Sequence, residues 1–206
     1  MDNTEAVHAG GGFNPPRPTT QGGPDYGRFV ESVRAAGDHA RGADAPDDVI
    51  TQAANLIEQA NALLAPYRAD EWHSPSGRRL DLPNRGNVLN VPSDLKVVDG
   101  RIAGPVRFRR FHLGRNGAAH GGSIGLLFDS VLGHAAYRLT DTPLQRTAYL
   151  HINYRQIVPV ERDLHATATL ERVEGRKIFI TGALLDGDTV LADAEALFVK
   201  LKPGQP

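Results

Sequence analysis

The chain has 206 residues, a formal net charge of −1 and no cysteine. The balanced charge predicts no binding to nucleic acid or to an anionic membrane, and the absence of cysteine excludes disulfides, thiolate catalysis and cysteine-ligated metal centres. Because no apolar run reaches the roughly 20 residues that span a bilayer, and the N-terminus lacks the apolar core of a signal peptide, we expect a cytoplasmic protein.

The first half of the sequence predicts a lead-in and an extension. Residues 1–24 are rich in Gly, Pro, Thr and Asn, a composition typical of a disordered segment. Residues 25–95 are predicted to form a partly helical extension, with one helix over 26–36 and a second that starts at Asp47 and ends before Pro66. The second helix carries an apolar stripe and is therefore expected to pack against the rest of the protein. The members of this stripe are Ile50, Ala53, Ala54, Ile57, Ala60, Leu63 and Leu64.

From residue 96 the pattern changes to strands around one helix. Residues 96–114 alternate around Gly100 and predict a hairpin, and 116–133, "NGAAHGGSIGLLFDSVLG", carries apolar residues at helical spacing. Three β-type runs complete the chain at 146–160, 163–187 and 189–202, the middle one folding back at 173–175. This order predicts an α+β domain over 96–206, in which an antiparallel sheet wraps one long central helix.

An aspartate stands inside the apolar pattern of that helix. Asp129 follows Leu127 and Phe128 and precedes Val131. An ionised carboxylate costs several kcal/mol to remove from water unless it has a partner, so a purely structural sequence rarely places one in a core. We interpret Asp129 as a residue that does chemistry; the alternative is a hydrogen-bonded aspartate with a packing role.

The stretch "AHGGSIGLLFDSVLG" resembles the His-Gly-Gly motif of hotdog-fold acyl-CoA thioesterases of the PaaI-like type, with Asp129 nine residues after His120. The blocks "TAYLHINYRQIVPV", "LERVEGRKIFITGAL" and "AEALFVKLKP" resemble strands of mammalian thioesterase-superfamily proteins that carry an N-terminal extension. The resemblance covers about residues 104–203. It implies a hotdog fold, a homodimer or higher homo-oligomer with active sites at the interface, and hydrolysis of fatty acyl-CoA without a metal or redox cofactor.

The resemblance also implies the catalytic residues. Gly121, at the start of the helix, is the expected oxyanion donor, since its N–H lies at the positive end of the helix dipole. Asp129 is the general base for water or the direct nucleophile. Thr147 matches a Ser/Thr position that helps to hold the water or the aspartate, and His120 matches a histidine that orients the loop or lies near the thioester.

The CoA part of the substrate carries several phosphates, which call for cationic side chains. By position, Asn153, Arg155, Arg176 and Lys177 match residues that contact CoA in the family. The histidines lack metal-ligand spacing, so no metal site is expected. Some relatives carry an Asn six residues before the motif histidine, where this chain has Gly114, and we leave the nearby Asn116 outside the predicted site.

Less specific interpretations remain open for each of these residues. His-Gly-Gly alone is compatible with a tight turn, His120 with a structural role, Thr147 with an ordinary strand residue, and Arg176–Lys177 with a solvated turn. For the whole chain, the alternative is a non-catalytic acyl-CoA-binding or scaffolding hotdog protein. A hydratase or dehydratase needs a differently spaced Asp/His pair that the sequence does not show.

Overall fold

The computed structural model describes residues 18–70, 73–142 and 144–202. Within these residues, one six-stranded sheet has the strand order β1-β2-β4-β5-β6-β3, and every neighbouring pair is antiparallel. The strands are β1 (Lys96–Val98), β2 (Arg101–Arg107), β3 (Gln145–Tyr154), β4 (Asp163–Glu174), β5 (Lys177–Asp186) and β6 (Thr189–Lys200). The α-helices are α1 (Tyr26–Gly42), α2 (Asp47–Leu64) and α3 (Gly121–Thr140), and short 3-10 helices cover Ala65–Tyr67, Pro83–Gly86 and Arg110–His112.

Tight turns connect the strands where the sequence predicts them. Asp99 and Gly100 both have positive φ, 49° and 74°, which fits the two-residue turn that joins β1 to β2. The β4–β5 connection turns at Gly175, with φ 59°, and β4 ends at Glu174, both within the predicted fold-back at 173–175. The prediction of an α+β fold with an antiparallel sheet and one long helix is confirmed.

The long helix α3 packs its apolar side into the sheet. Leu127, Phe128, Val131 and Leu132 are at most 2% exposed, and they meet inward-facing residues of all the longer strands. The helix approaches the sheet closely at Gly182 on β5, where an added Cβ would lie 2.7 Å from a Leu132 methyl carbon. A side chain at this position would push α3 away from the sheet.

The first helix of the extension is fixed to the loop before α3. Arg109 forms ion pairs with Asp38 and Glu31, and the Phe111 N–H donates to the Asp38 carboxylate over 2.9 Å. The helix continues to Gly42, past the predicted end at residue 36. The Phe111 ring packs closely on this continuation, since a Cβ on Gly37 would lie 3.0 Å from the nearest ring carbon.

Contacts cross the predicted segment boundaries at 24 and 95. Residues 1–17 of the predicted lead-in lie outside the described residues, but the rest of it is bonded to the extension: Arg79 donates to the carbonyls of Gln21 and Gly23, each over 3.0 Å. Val91 is 1% exposed and belongs to the core around α3. The core around α3 thus includes a residue that precedes the predicted boundary at 96.

The second helix of the extension does not pack as expected. None of the residues of α2 is buried, and exposed fractions reach 60% at Leu56 and 72% at Leu63. The prediction that its apolar stripe packs against the rest of the chain is wrong for the single chain, since periodicity predicts an apolar face without identifying what covers it. No helix in the described part of the chain has the length and apolar character needed to cross a membrane.

Candidate active site

His120 and the two glycines after it form the N-terminus of α3. His120 is the N-cap, and its Nδ1 accepts a hydrogen bond from the Gly122 N–H over 3.0 Å. A Cβ on Gly122 would lie 3.1 Å from that same nitrogen, so a side chain there would crowd the cap. His120 therefore has a structural role as a helix cap, since its side-chain acceptor satisfies one of the unpaired N–H groups at the helix start.

Gly121 presents its backbone N–H at this helix end. Among the described residues, that N–H has no hydrogen-bond acceptor, as is usual for the first residue of a helix. The Gly121 carbonyl accepts a hydrogen bond from the Tyr154 hydroxyl over 3.1 Å, which ties the helix start to the end of β3. The N–H is thus held in place and available to an external acceptor.

Asp129 lies two turns further along α3 and is bonded to Thr147. The Thr147 hydroxyl donates to the Asp129 carboxylate, with 2.9 Å between Oγ1 and Oδ1. Asp129 is exposed in the single chain, whereas Phe128 beside it is fully buried. The expectation of a buried carboxylate is wrong for the isolated chain, because the rotation of about 100° per residue turns Asp129 from the core towards the β3 edge.

A β-bulge gives Thr147 its orientation. Thr147 pairs with Phe198 and Tyr149 with Leu197, so Ala148 is an extra residue in β3. Side chains alternate between the faces of a strand, and an extra residue reverses the alternation. Thr147 therefore shares the face of buried Phe198, towards α3, while Tyr149 lies on the outer face. In an unbulged β3, Thr147 would point away from Asp129.

Two further side chains of β3 reach α3 and were missed in the sequence. Tyr154 binds the Gly121 carbonyl, and Gln145 Nε2 donates to the Gly133 carbonyl over 2.9 Å. Tyr154 follows the alternation set by Leu150 and Ile152, so the pattern contained a signal for it. Gln145 stands before the bulge, and its orientation could not be predicted from alternation.

Asn153 and Arg155, two of the predicted CoA contacts, both bind Asp193 on β6. Asn153 Nδ2 donates to Asp193 Oδ1 over 2.8 Å, and the Arg155 guanidinium forms an ion pair with the same carboxylate. Hydrogen bonds from Arg155 and then from Asn153 lower the pKa of Asp193. Asn153 lies between Ile152 and Tyr154, which face the helix, so it belongs to the outer face of the sheet, opposite Asp129.

Arg176 and Lys177, the other predicted CoA contacts, lie at the β4–β5 turn. Both are exposed, and the Arg176 guanidinium donates to the Lys200 carbonyl over 3.0 Å. In the sheet, Lys177 pairs with Val199 on β6, and Arg146 on β3 pairs with Val199 from the other side. The turn is therefore at the same end of the sheet as Thr147, and Arg155 is at the opposite end.

The histidines and carboxylates of the described ranges form no metal site. No cluster of three or more His, Asp or Glu side chains in these ranges could hold a metal ion. The His134 imidazole on α3 has a pKa lowered to about 4 by burial and by the positive charges of Arg85 and Arg138.

Asn116, which the sequence analysis left outside the site, lies in a tight turn before the motif. Asn116 and Gly117 have positive φ, 53° and 75°, which accounts for an asparagine at this position.

Known proteins resemble this chain in sequence and in fold. The thioesterase superfamily matches residues 116–192, from the turn before α3 into β6. The matched stretch is less than half of this chain. Acyl-coenzyme A thioesterase THEM4 of Rattus norvegicus is 33% identical over 95 residues, 45% of this chain and 40% of the rat protein. THEM4 of Xenopus laevis is 33% identical over 92 residues, 44% of this chain and 40% of the frog protein.

A solved structure resembles most of this chain, including the helical extension. The crystal structure of a thioesterase superfamily protein aligns with a TM-score of 0.68 and 27% identity, over 89% of this chain and 93% of that chain. The likeness confirms the predicted hotdog fold. The aligned stretch covers less than half the length of the curated THEM4 relatives.

Proposed function

We propose that this thioesterase domain hydrolyses fatty acyl-CoA thioesters to the free acid and CoA. The observation that carries the proposal is the Thr147–Asp129 hydrogen bond, which holds an exposed carboxylate on a helix whose first N–H is also open. Asp129 acts as the general base for water or as the direct nucleophile, and the Gly121 N–H stabilises the oxyanion. These groups are a carboxylate, a hydroxyl and a backbone amide, so the proposed reaction needs no metal or redox cofactor.

Gly121 and Asp129 of one chain cannot serve the same thioester. They lie eight positions apart on α3, which is about 12 Å at the rise of an α-helix. An oxyanion donor must lie about 3 Å from the substrate oxygen, and the base must reach the group that attacks the adjacent carbon. Each chain therefore supplies one half of two different sites.

A second copy of the chain joins these halves. At one edge of the sheet β1 has 3 residues, while at the other edge β3 has 10, and long open edges favour strand pairing. Antiparallel pairing of two β3 strands, centred on His151 and with Ala148 as the extra residue of the bulge, places Thr147 opposite the partner's Tyr154. Asp129 then approaches the partner's Gly121. We therefore propose a homodimer or higher homo-oligomer with shared active sites.

The nucleotide end of CoA is proposed to bind at Arg176 and Lys177. Both side chains are exposed at the end of the sheet nearer to Thr147, and long cationic side chains suit phosphate groups. Arg155 and Asn153 are engaged by Asp193, so a phosphate at that position would have to displace a carboxylate. The cytoplasmic location stays a prediction.

A thiol-release assay on acyl-CoAs from acetyl to palmitoyl, with binding measured in parallel by calorimetry, tests the proposed function. We expect wild-type protein to release CoA from at least one fatty acyl-CoA with repeated turnover. Tight binding of acyl-CoA with no release at any chain length would replace the proposal with the non-catalytic binding protein. Acyl-pantetheine in the same panel separates recognition of the nucleotide from recognition of the thioester.

A further inference from the structure

Gln145 lies beside the Asp129–Thr147 pair without belonging to it. It is the first residue of β3 and stands on the same side of the bulge as Thr147, two residues away, so both side chains face α3. Its Nε2 donates to the carbonyl of Gly133 over 2.9 Å. Gly133 is one helical turn after Asp129, so β3 holds two successive turns of α3 through neighbouring side chains.

The amide oxygen of Gln145 shows which way round the amide group lies. Oε1 is buried and has no hydrogen-bond partner among the described residues. Leaving a buried acceptor unpaired costs about 1–3 kcal/mol. Rotating the amide by 180° would not satisfy Oε1, because it would place Oε1 against the Gly133 carbonyl oxygen. It would also break the hydrogen bond from Nε2 to that carbonyl. The contact between Gln145 and Gly133 is therefore specific for a donor.

The Thr147–Asp129 bond needs such a contact. Threonine has one short rotor, so its hydroxyl reaches the carboxylate only when α3 and β3 keep a fixed separation and register. Gly133 lies beside Phe198, since an added Cβ would meet the Phe198 ring at an ordinary distance of 3.5 Å, and Phe198 is the cross-strand neighbour of Thr147. The Gln145–Gly133 bond acts on this same small region.

We propose that Gln145 is a positioning residue: by binding the Gly133 carbonyl it holds α3 on β3 so that Thr147 orients the Asp129 carboxylate. This inference rests on the proposed thioester hydrolysis. Gln145 touches no reacting atom, and its effect reaches the substrate through Thr147. The consequence is a coupling in kcat between Gln145 and Thr147 that exceeds any effect on substrate binding.

The first experiment removes the donor while keeping the length of the side chain. For Gln145→Met we expect kcat to fall roughly tenfold, one step of about 1.4 kcal/mol in barrier height, with KM within about twofold. Gln156→Met is the matched control, because Gln156 is exposed just after the other end of β3. It should behave as wild type. A Gln145→Met variant with wild-type kcat would overturn the inference.

The second experiment asks whether Gln145 acts through Thr147. In a Thr147→Val background we expect Gln145→Met to lower kcat by less than about twofold, because the orienting hydroxyl is already absent. A merely structural role would give independent losses that multiply, and that result would overturn the inference. Gln145→Leu, which is uncharged and lacks the donor, should reproduce the loss if the methionine variant fails to fold.

The controls separate this inference from the proposed function. If wild-type protein hydrolyses no acyl-CoA, both fail. If wild-type protein is active, Asp129→Asn is inactive and both Gln145 variants behave as wild type, the proposed function stands and only the positioning role is wrong.

Discussion

The two ends of the contact between β3 and α3 are built alike but offer opposite chemistry. At one end, Tyr154 holds the carbonyl of Gly121, and the helix presents an open N–H. At the other end, Thr147 holds Asp129, and the helix presents a carboxylate. The first end has a donor without a base, and the second has a base without a donor. The difference supports the proposal that one chain carries two half-sites and that a second chain completes each of them.

The largest loss is expected at the carboxylate end. Asp129→Asn keeps the size of the side chain and a hydrogen bond to Thr147 but removes the base or nucleophile, so kcat should fall by at least about 10²-fold. Binding of acyl-CoA should persist, which calorimetry on the inactive variant can measure. Near wild-type turnover would show that the carboxylate is not part of the chemistry.

At the donor end, two substitutions of Gly121 distinguish the effect of losing the N–H from the effect of adding bulk. Gly121→Pro removes the N–H at a helix position where proline is tolerated, and His120 already has φ −63° and ψ 135°, which suits a residue before proline. Loss of an oxyanion donor should lower kcat by about 10²–10³-fold.

Gly121→Ala is the matched control, because it keeps the N–H and its Cβ would meet Tyr154 at an ordinary distance of 3.5 Å. We expect a much smaller loss of kcat than for Gly121→Pro, with melting temperatures recorded for both variants. Equal losses in the two variants would mean that crowding, and not the missing donor, limits the reaction.

The hydroxyl that supports the carboxylate should matter less than the carboxylate itself. Thr147→Val has the same shape and loses only the hydrogen bond to Asp129. We expect kcat to fall roughly tenfold, a difference of about 1.4 kcal/mol that suits a charge-assisted hydrogen bond. A loss as large as that of Asp129→Asn would assign Thr147 a direct part in the chemistry.

Arg176 and Lys177 at the β4–β5 turn should not contribute to bond breaking at either end of the contact between β3 and α3. Arg176→Ala with Lys177→Ala should raise KM and leave kcat within about threefold, since binding that is equal in ground and transition states does not change kcat. High salt should weaken wild-type protein more than the double variant. On a short acyl-pantetheine, which lacks the phosphates, both proteins should react equally; a handicap there would contradict the CoA assignment.

The sequence predicted much of this fold because its signals are local. The turn at Asp99–Gly100, the apolar spacing of α3 and the strand runs of the sheet each depend on a few neighbouring residues. The exposure of Asp129 could not be predicted in this way. This exposure depends on how far around α3 the sheet extends, and the sheet ends at β3.

The sequence indicated the residues of the proposed site one by one but not their arrangement. The resemblance pointed to His120, Gly121, Asp129 and Thr147, yet the bulge at Ala148, which turns Thr147 to the helix, has no signature in the sequence. The engagement of Asn153 and Arg155 by Asp193 was equally hidden, because cross-strand neighbours are set by register. The exposed apolar stripe of α2 is a further example, because the sequence predicted an apolar face but not whether another part of the chain packs on it.

Mixing two inactive variants tests the shared site most directly. Asp129→Asn and Gly121→Pro are co-expressed with different tags, and thiol release is compared with each variant alone. In a two-fold dimer, half of a random mixture is mixed dimer, and each of these has one site with neither substitution, so we predict about a quarter of wild-type activity. If Gly121 and Asp129 of the same chain served one thioester, no site would be intact. Activity no higher than that of the separate variants, in a mixture shown to contain mixed dimers, would contradict the account.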